Sequence, residues 1–365
     1  MTVRETRWAL QLLRAWLHGR RAPRGPLSVN LDITRRCNLR CLGCPYHSAE
    51  LMPEAVDETV RDISLELVER LGQELASMGT ASVIIAGTGE PLLHRECGEI
   101  VSILKRLGLE VCLYTNGILL EADRARALLE AGLDRLIVNL WAHSPQSYEL
   151  CHPGASPDAF ERVVANIGSY ARLRRELKRR SSEIFILHVF NVHNHGHLDA
   201  KIELAINSGC DGLLFGAYLP PGEGADPAAL SADQIAQVKR SLPAAARRLS
   251  ARRLKHNVDA LFLRSQFDPQ AWQRIPCYVG WYQSRIRVDG AVMPCASCDI
   301  ILGDLNQRGF GEIWRGRAYQ ELRNQAETRA GLKSLSARCR CDWCCYFPQN
   351  YRLHRVLRWL APVFR

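Results

Sequence analysis

Three cysteines, Cys37, Cys41 and Cys44, stand in C-x3-C-x2-C spacing within residues 33–45. Three thiolates in one short loop can each bind one iron of a [4Fe–4S] cube, and such cubes are usually held by four cysteines. The fourth iron is then left for another molecule to bind. A second group of seven cysteines lies downstream: Cys277, Cys295, Cys298, Cys339, Cys341, Cys344 and Cys345. Between the two groups, Gly87-Thr88-Gly89-Glu90-Pro91 follows an apolar run. Glycines there let backbone carbonyls approach a ligand with no Cβ in the way.

These residues need elements that bring them together. From 27 to 217, strand-like and helix-like segments alternate. Strands are expected at 28–34, 82–86, 110–114, 134–141, 184–191 and 211–217, and helices at 54–78, 95–108, 121–131, 157–180 and 197–208. Such a β/α alternation predicts an α/β fold with a parallel sheet, curled into a partial barrel of six units. In barrels of this kind, function collects on loops after the strands. The cysteine triplet, the glycine turn and Thr115-Asn116-Gly117 all fall there. The expected organisation is an N-terminal amphipathic helix (1–26), the barrel (27–217), a connecting helical segment (218–276), a cysteine-rich module (277–345) and a C-terminal amphipathic helix (346–365).

Composition sets limits. The 365 residues are 47% hydrophobic and 24% charged, ordinary for a globular protein. No apolar run reaches the ~18 residues of a membrane-spanning helix. Fourteen cysteines without a secretory signal argue for metal ligation in a reducing cytoplasm rather than disulfides. The net charge of +10 comes partly from arginine runs at 172–180 and 247–253. Aromatic residues are not interleaved with them, as a nucleic-acid stacking platform would require, so solvated helix faces are expected and no nucleic-acid partner. At the C-terminus Leu353, Val356, Leu357 and Leu360 form an apolar stripe beside arginines. Packing onto the barrel is the first reading of both amphipathic ends, and peripheral contact with a membrane surface the second.

On these residues the chain resembles the radical S-adenosylmethionine (SAM) enzymes, whose defining C-x3-C-x2-C motif follows the first strand of a partial (β/α)6 barrel. The resemblance implies that SAM chelates the open iron and is reductively cleaved to a 5′-deoxyadenosyl radical that abstracts a substrate hydrogen. It implies SAM contacts from Gly87, Gly89 and Glu90, with the acidic side chain on the SAM ammonium, and from Asn116 and Asn139. It also implies an electron donor such as flavodoxin or ferredoxin. One departure stands out: the residue before the third cysteine is commonly aromatic and packs on adenine, but here it is Gly43, so Tyr46 or an aromatic from elsewhere must substitute. Residues 277–345 resemble the SPASM/twitch extension that holds auxiliary Fe–S clusters. Cys277, Cys295, Cys341 and Cys344 match its single-cluster form; Cys298, Cys339 and Cys345 are left as further ligands of a two-cluster form. A zinc site is the remaining alternative for these knuckles. Many relatives that modify peptides carry a leader-binding domain before the barrel, and the triplet at Cys37 leaves no room for one.

The first expectation for the reaction is oxidation of a sugar or aminocyclitol alcohol, the auxiliary cluster taking the second electron. Redox-neutral epimerisation is an alternative, with Cys112, Cys151 or Cys210 returning a hydrogen atom. Peptide maturation, lipid modification and a non-catalytic Fe–S or zinc scaffold are the others. His143, His152 and His188 are candidate substrate bases, with His188 on the fifth strand facing either the barrel or the helices.

Overall fold

The computed structural model describes residues 24–48, 61–218, 226, 228–259, 275–339 and 344–360. Six parallel strands form its frame: β1 (Ser28–Leu31), β2 (Ser82–Ile85), β3 (Glu110–Thr115), β4 (Arg135–Asn139), β5 (Glu183–Phe190) and β6 (Gly212–Ala217). Each pairs with its sequence neighbour, so the order follows the chain. That is what successive right-handed β/α units produce. The connecting helices are α1 (Leu65–Ser77), α2 (Cys97–Arg106), α3 (Ala122–Glu130), α4 (Pro145–Cys151), α5 (Ala159–Glu176) and α6 (Leu198–Asn207), with α7 (Ala232–Ala251) after β6. The architecture is an α/β partial barrel.

Alternation along the strands sorts the two faces. Val29, Leu31, Val83, Ile85, Val111 and Leu113 are fully buried against the helices. The other face carries Asn30, Ile84 and Cys112, which share one register across β1, β2 and β3. His188 lies in phase with buried Ile184, Ile186 and Phe190 on β5, so it faces the helix layer.

Of the helix expected at 54–78, residues 54–60 lie outside the described residues. From 61 onward, the helix α1 starts at Leu65 because Ser64 caps it, its side chain accepting from the Leu67 amide. The preceding residues pair with the cysteine-bearing loop instead: Ile63 N donates to Ile33 O and Arg35 N to Arg61 O. Helix α4 was not expected. Ser144 and Ser147 cap it reciprocally and Pro145 opens it, which makes a seven-residue helix hold.

The C-terminal region joins the same sheet. Strand β7 (Gln283–Ile286) runs parallel to β1, turns through Asp289-Gly290 into antiparallel β8 (Ala291–Met293), and β8 pairs antiparallel with β9 (Gly303–Asp304). Beyond them come α8 (Phe310–Arg315), α9 (Arg317–Ala326), α10 (Arg329–Cys339) and α11 (Phe347–Leu360). Trp314 is buried and donates from Nε1 to Arg24 O, and the Gly311 amide donates to Glu74 on α1. The cysteine-rich segment is thus built onto the outer edge of β1.

Of the expected C-terminal stripe, Leu357 is buried and Leu353 packs against the core, while Val356 is exposed. The N-terminal helix expected before residue 24 lies outside the described residues. Among the described residues, no helix is long and apolar enough to cross a membrane.

Candidate active site

The cysteine loop leaves β1 at the edge where the strands end. Cys37, Cys41 and Cys44 are each partly buried, and the Cys44 amide closes a turn onto Cys41 O. Burial pushes the Cys37 thiol up to about 11, with nearby Glu90 and Cys44 adding to it. Cys41 is raised further, first by burial and then by Cys44 and Cys37. Three soft donors this close fit a cationic cluster, which deprotonates a thiol on binding. Among the described residues no three His, Cys, Asp or Glu side chains converge on a single ion. A cube takes one thiolate at each of several irons, so its ligands stand apart.

The glycine turn after β2 lies directly on this loop. A Cβ on Gly89 would collide with the carbonyl oxygens of Arg36 and Thr34, the latter at 2.5 Å, and one on Gly87 would meet the Asp32 carboxylate. Backbone cannot yield as a flexible side chain can. Gly89→Ala is therefore expected to displace the cysteine loop and weaken SAM binding at least about tenfold, as loss of outer-shell support commonly does. Equilibrium binding of SAM to the loaded protein measures it.

Glu90 is buried, and its carboxylate is a brace. Oε1 accepts from Thr115 Oγ1 (2.6 Å) and Leu92 N (3.0 Å), and Oε2 from Asn116 N (2.7 Å). Asn116 in turn donates from Nδ2 to Asn38 Oδ1 (2.7 Å), one residue past Cys37. The ends of β2 and β3 and the cysteine loop thus form one hydrogen-bonded unit. Burial raises the Glu90 carboxyl against these three donors. Asn139 ends β4, half-buried.

A buried ion pair crosses from β1 to β7. Arg285 Nη2 donates to Asp32 Oδ2 (2.6 Å), and both side chains are all but fully buried. Arg285 Nη1 also donates to Tyr46 Oη (3.0 Å) and to Ala296 O (3.2 Å), beside Cys295. One guanidinium touches β1, the first cysteine loop and the second. Burial pushes the Asp32 carboxyl up, and Arg285 pulls against that. A cavity of about 190 Å³ lies alongside, lined by Arg35, Tyr46, His47, Thr88 and Arg287 among others.

Two tyrosines stand beside the cysteine loop. Tyr46 is engaged by Arg285. The space beside Gly43 is filled by Tyr218 at the end of β6, with which a Cβ on Gly43 would collide; Tyr218 Oη donates to Asp226 (2.8 Å).

The candidate bases and thiols scatter. His188 is corrected as a substrate base. It faces the helices, 1% exposed, and pairs with Lys201 of α6, which also donates to Asn194 O. Burial holds His188 well below the usual imidazole range, and the charge of Lys201 adds to this. The unfolded chain takes up a proton below pH 6.5 that the folded site refuses, so stability is present above 6.5 and lost as pH falls. The limiting slope is about 1.4 kcal/mol per pH unit. Denaturant titrations at pH 7.5 and 5.5 should show a smaller difference for His188→Gln than for the wild type.

Cys210 is buried between α6 and β6, before its strand and away from the strand ends, with its thiol pushed up to about 12 by burial. That position removes it as a hydrogen-atom donor. Cys112 faces the interior from mid-β3, also raised to about 12 by burial. Cys151 is fully buried, its Sγ 3.3 Å from Asn191 Nδ2. His143 stacks on His197 (4.0 Å) and is lowered to about 4 by burial first. His152 lies against the cysteine triplet, Nδ1 3.2 Å from Cys41 Sγ, a contact no sequence signal announced.

Burial raises Cys344 well above the thiol range, with Cys345, Cys277 and Cys295 adding to it. Cys298 is raised chiefly by its hydrogen bond with Cys339, and it in turn adds to the raising of Cys295 and Cys277. Cys341 lies outside the described residues. The loop carrying Cys344 and Cys345 reaches into the barrel. Asn30 on the inner face of β1 donates to Tyr346 Oη (2.9 Å), and Cys345 adds to the raising of Tyr114 on β3, which burial dominates.

A partial parallel barrel, a three-cysteine loop after its first strand and a glycine turn after its second define a radical SAM enzyme, here with a SPASM domain. The Radical SAM superfamily model matches residues 31–192, and the SPASM model, an iron-sulfur cluster-binding domain, matches 277–346. The chain belongs to that superfamily, with a [4Fe–4S] cluster, SAM and auxiliary Fe–S clusters as its cofactors. It is 27% identical to a PqqA peptide cyclase of Ruegeria pomeroyi over 335 residues, 87% of this chain and 80% of that one. It is 38% identical to a probable GTP 3′,8-cyclase of Methanosarcina mazei over 141 residues, 39% of this chain; that match spans only 40% of the cyclase. SuiB of Streptococcus suis, in its SAM-bound structure, superposes with a TM-score of 0.68 at 14% identity, covering 93% of this chain and 76% of SuiB.

Proposed function

We propose that the chain carries out a two-electron oxidation at a carbon of a substrate held inside the barrel, between Cys37–Cys44 and Cys344–Tyr346. When bound, the cluster and SAM supply a 5′-deoxyadenosyl radical that takes a hydrogen atom from that carbon. One observation carries the reading: the second cysteine loop enters the barrel, where Asn30 on the inner face of β1 donates to Tyr346 Oη. With both groups bound, a substrate there would have the SAM-binding cysteines on one side and the auxiliary-cluster cysteines on the other, to accept the hydrogen atom and the electron.

The residues divide the remaining work. Cys37, Cys41 and Cys44 hold three irons. The backbone of Gly87–Gly89 faces SAM, and Glu90 acts by fixing the ends of β2 and β3 rather than as a free carboxylate. Tyr218 supplies the aromatic wall that Gly43 does not. Cys277, Cys295, Cys341 and Cys344 would hold an auxiliary cluster, with Cys298, Cys339 and Cys345 as the further candidate ligands.

A peptide is the first substrate class, supported by similarity to a peptide cyclase across 87% of this chain. A hydroxyl-bearing small molecule such as a sugar or aminocyclitol is the second, favoured by the Cys277-x17-Cys295 spacing of the single-cluster form. Reduced protein is incubated with SAM and substrates deuterated at carbon, from peptide pools and polyol panels. Deuterium in 5′-deoxyadenosine together with a product two hydrogens lighter supports oxidation. Deuterium transfer with a product in which that one deuterium is replaced by solvent hydrogen, with no further hydrogen lost, overturns it in favour of epimerisation.

A further inference from the structure

Among the described residues, the His152 side chain lies within hydrogen-bond distance of a sulfur of the triplet, that of Cys41. It follows α4, and the Cys151 carbonyl accepts from the Leu42 amide, so the end of this helix is tied to the cysteine loop by backbone. The ring is 2% exposed and held against Tyr148, centroids 4.4 Å apart. Nδ1 lies 3.2 Å from Cys41 Sγ, while buried Nε2 has no hydrogen-bond partner.

That asymmetry fixes the direction of the bond. In a neutral imidazole one nitrogen carries the proton. A buried N–H without an acceptor is rarer than a buried lone pair without a donor. The proton therefore belongs on Nδ1, facing sulfur. Once Cys41 binds iron its sulfur carries no proton, and Nδ1–H donating to Sγ is the only hydrogen bond left to this pair.

We propose that His152 is a positioning residue that donates a hydrogen bond from Nδ1 to Cys41 Sγ and raises the reduction potential of the SAM-binding cluster. Hydrogen bonds to cluster sulfurs are among the factors that set such potentials. Reduction adds negative charge to the cluster, so the donor binds the reduced form more strongly. The proposal rests on Cys41 being a ligand of that cluster.

The test is an EPR-monitored redox titration of the reconstituted full-length chain, following the signal that SAM perturbs. His152→Phe keeps a ring in the space and removes the donor; His152→Gln restores an N–H. The reduction equilibrium of H152F is expected to be about tenfold less favourable than that of the wild type. For one electron this is a midpoint about 59 mV more negative. H152Q should recover much of the shift. An unmoved midpoint in H152F at wild-type iron content overturns the proposal. If H152F does not assemble, His152→Leu against H152Q makes the same comparison, and loss of the cluster from all three variants also overturns it. If Cys41 is not a ligand, SAM will leave the wild-type signal unchanged, a different result from an unmoved midpoint.

Discussion

Cys41→Ala is expected to abolish reductive cleavage of SAM while leaving iron bound through the C-terminal cysteines. Burial raises the Cys41 thiol further than that of Cys37, and its sulfur is also the one His152 reaches. Loss of an outer-shell partner typically costs 10–100-fold in metal affinity, so loss of a ligand should cost more than about 100-fold. Alanine at 41 removes that ligand and leaves His152 Nδ1 facing a void. The measurement is 5′-deoxyadenosine formed by dithionite-reduced protein, with iron and sulfide assayed in the same sample. Iron should fall by the share of one cube and not to zero. Wild-type cleavage in C41A would remove Cys41 from the ligand set.

Arg285→Met should be the most destabilising single change at the junction of barrel and SPASM domain. It leaves the Asp32 carboxylate buried without its guanidinium, and removing one partner of such a pair costs about 3–5 kcal/mol. Tyr46 and Ala296 O lose a donor in the same step, so both cysteine loops should loosen with it. The double variant Asp32→Leu/Arg285→Met should recover much of the loss, because well-packed apolar replacements of a buried pair are often neutral. Denaturant midpoints of the loaded protein provide the comparison. A single variant as stable as the wild type would show that water reaches Asp32.

The parts legible in the sequence are those written locally. C-x3-C-x2-C lies within eight residues, and the β/α alternation placed all six strands to within about three residues at their ends. Ser144-Pro145 was a readable helix start, yet seven residues were too few for periodicity to register. The contacts that assemble the site were not legible because they join distant positions. Arg285 meets Asp32 across 253 residues, and His152 meets Cys41 across 111. Nothing near Asp32 distinguishes a strand-end carboxylate with a buried partner from a solvated one. Glu90 was read by motif as a ligand-binding carboxylate, and only the fold reveals that Thr115 and Asn116 occupy it. His188 illustrates the limit of alternation: period two shows that it shares a face with Ile186 and Phe190, but not which face meets the helices.

The central claim is that three cysteines hold a cube whose remaining iron is open to SAM. Electron-nuclear double resonance on the reduced protein, with SAM labelled with ¹⁷O at its carboxylate and ¹⁵N at its amine, tests this most directly. Hyperfine coupling to both nuclei, present in the wild type and in Cys295→Ala but absent from C41A, is the predicted result. Labelled SAM that produces no coupling, or coupling that survives in C41A, would contradict it.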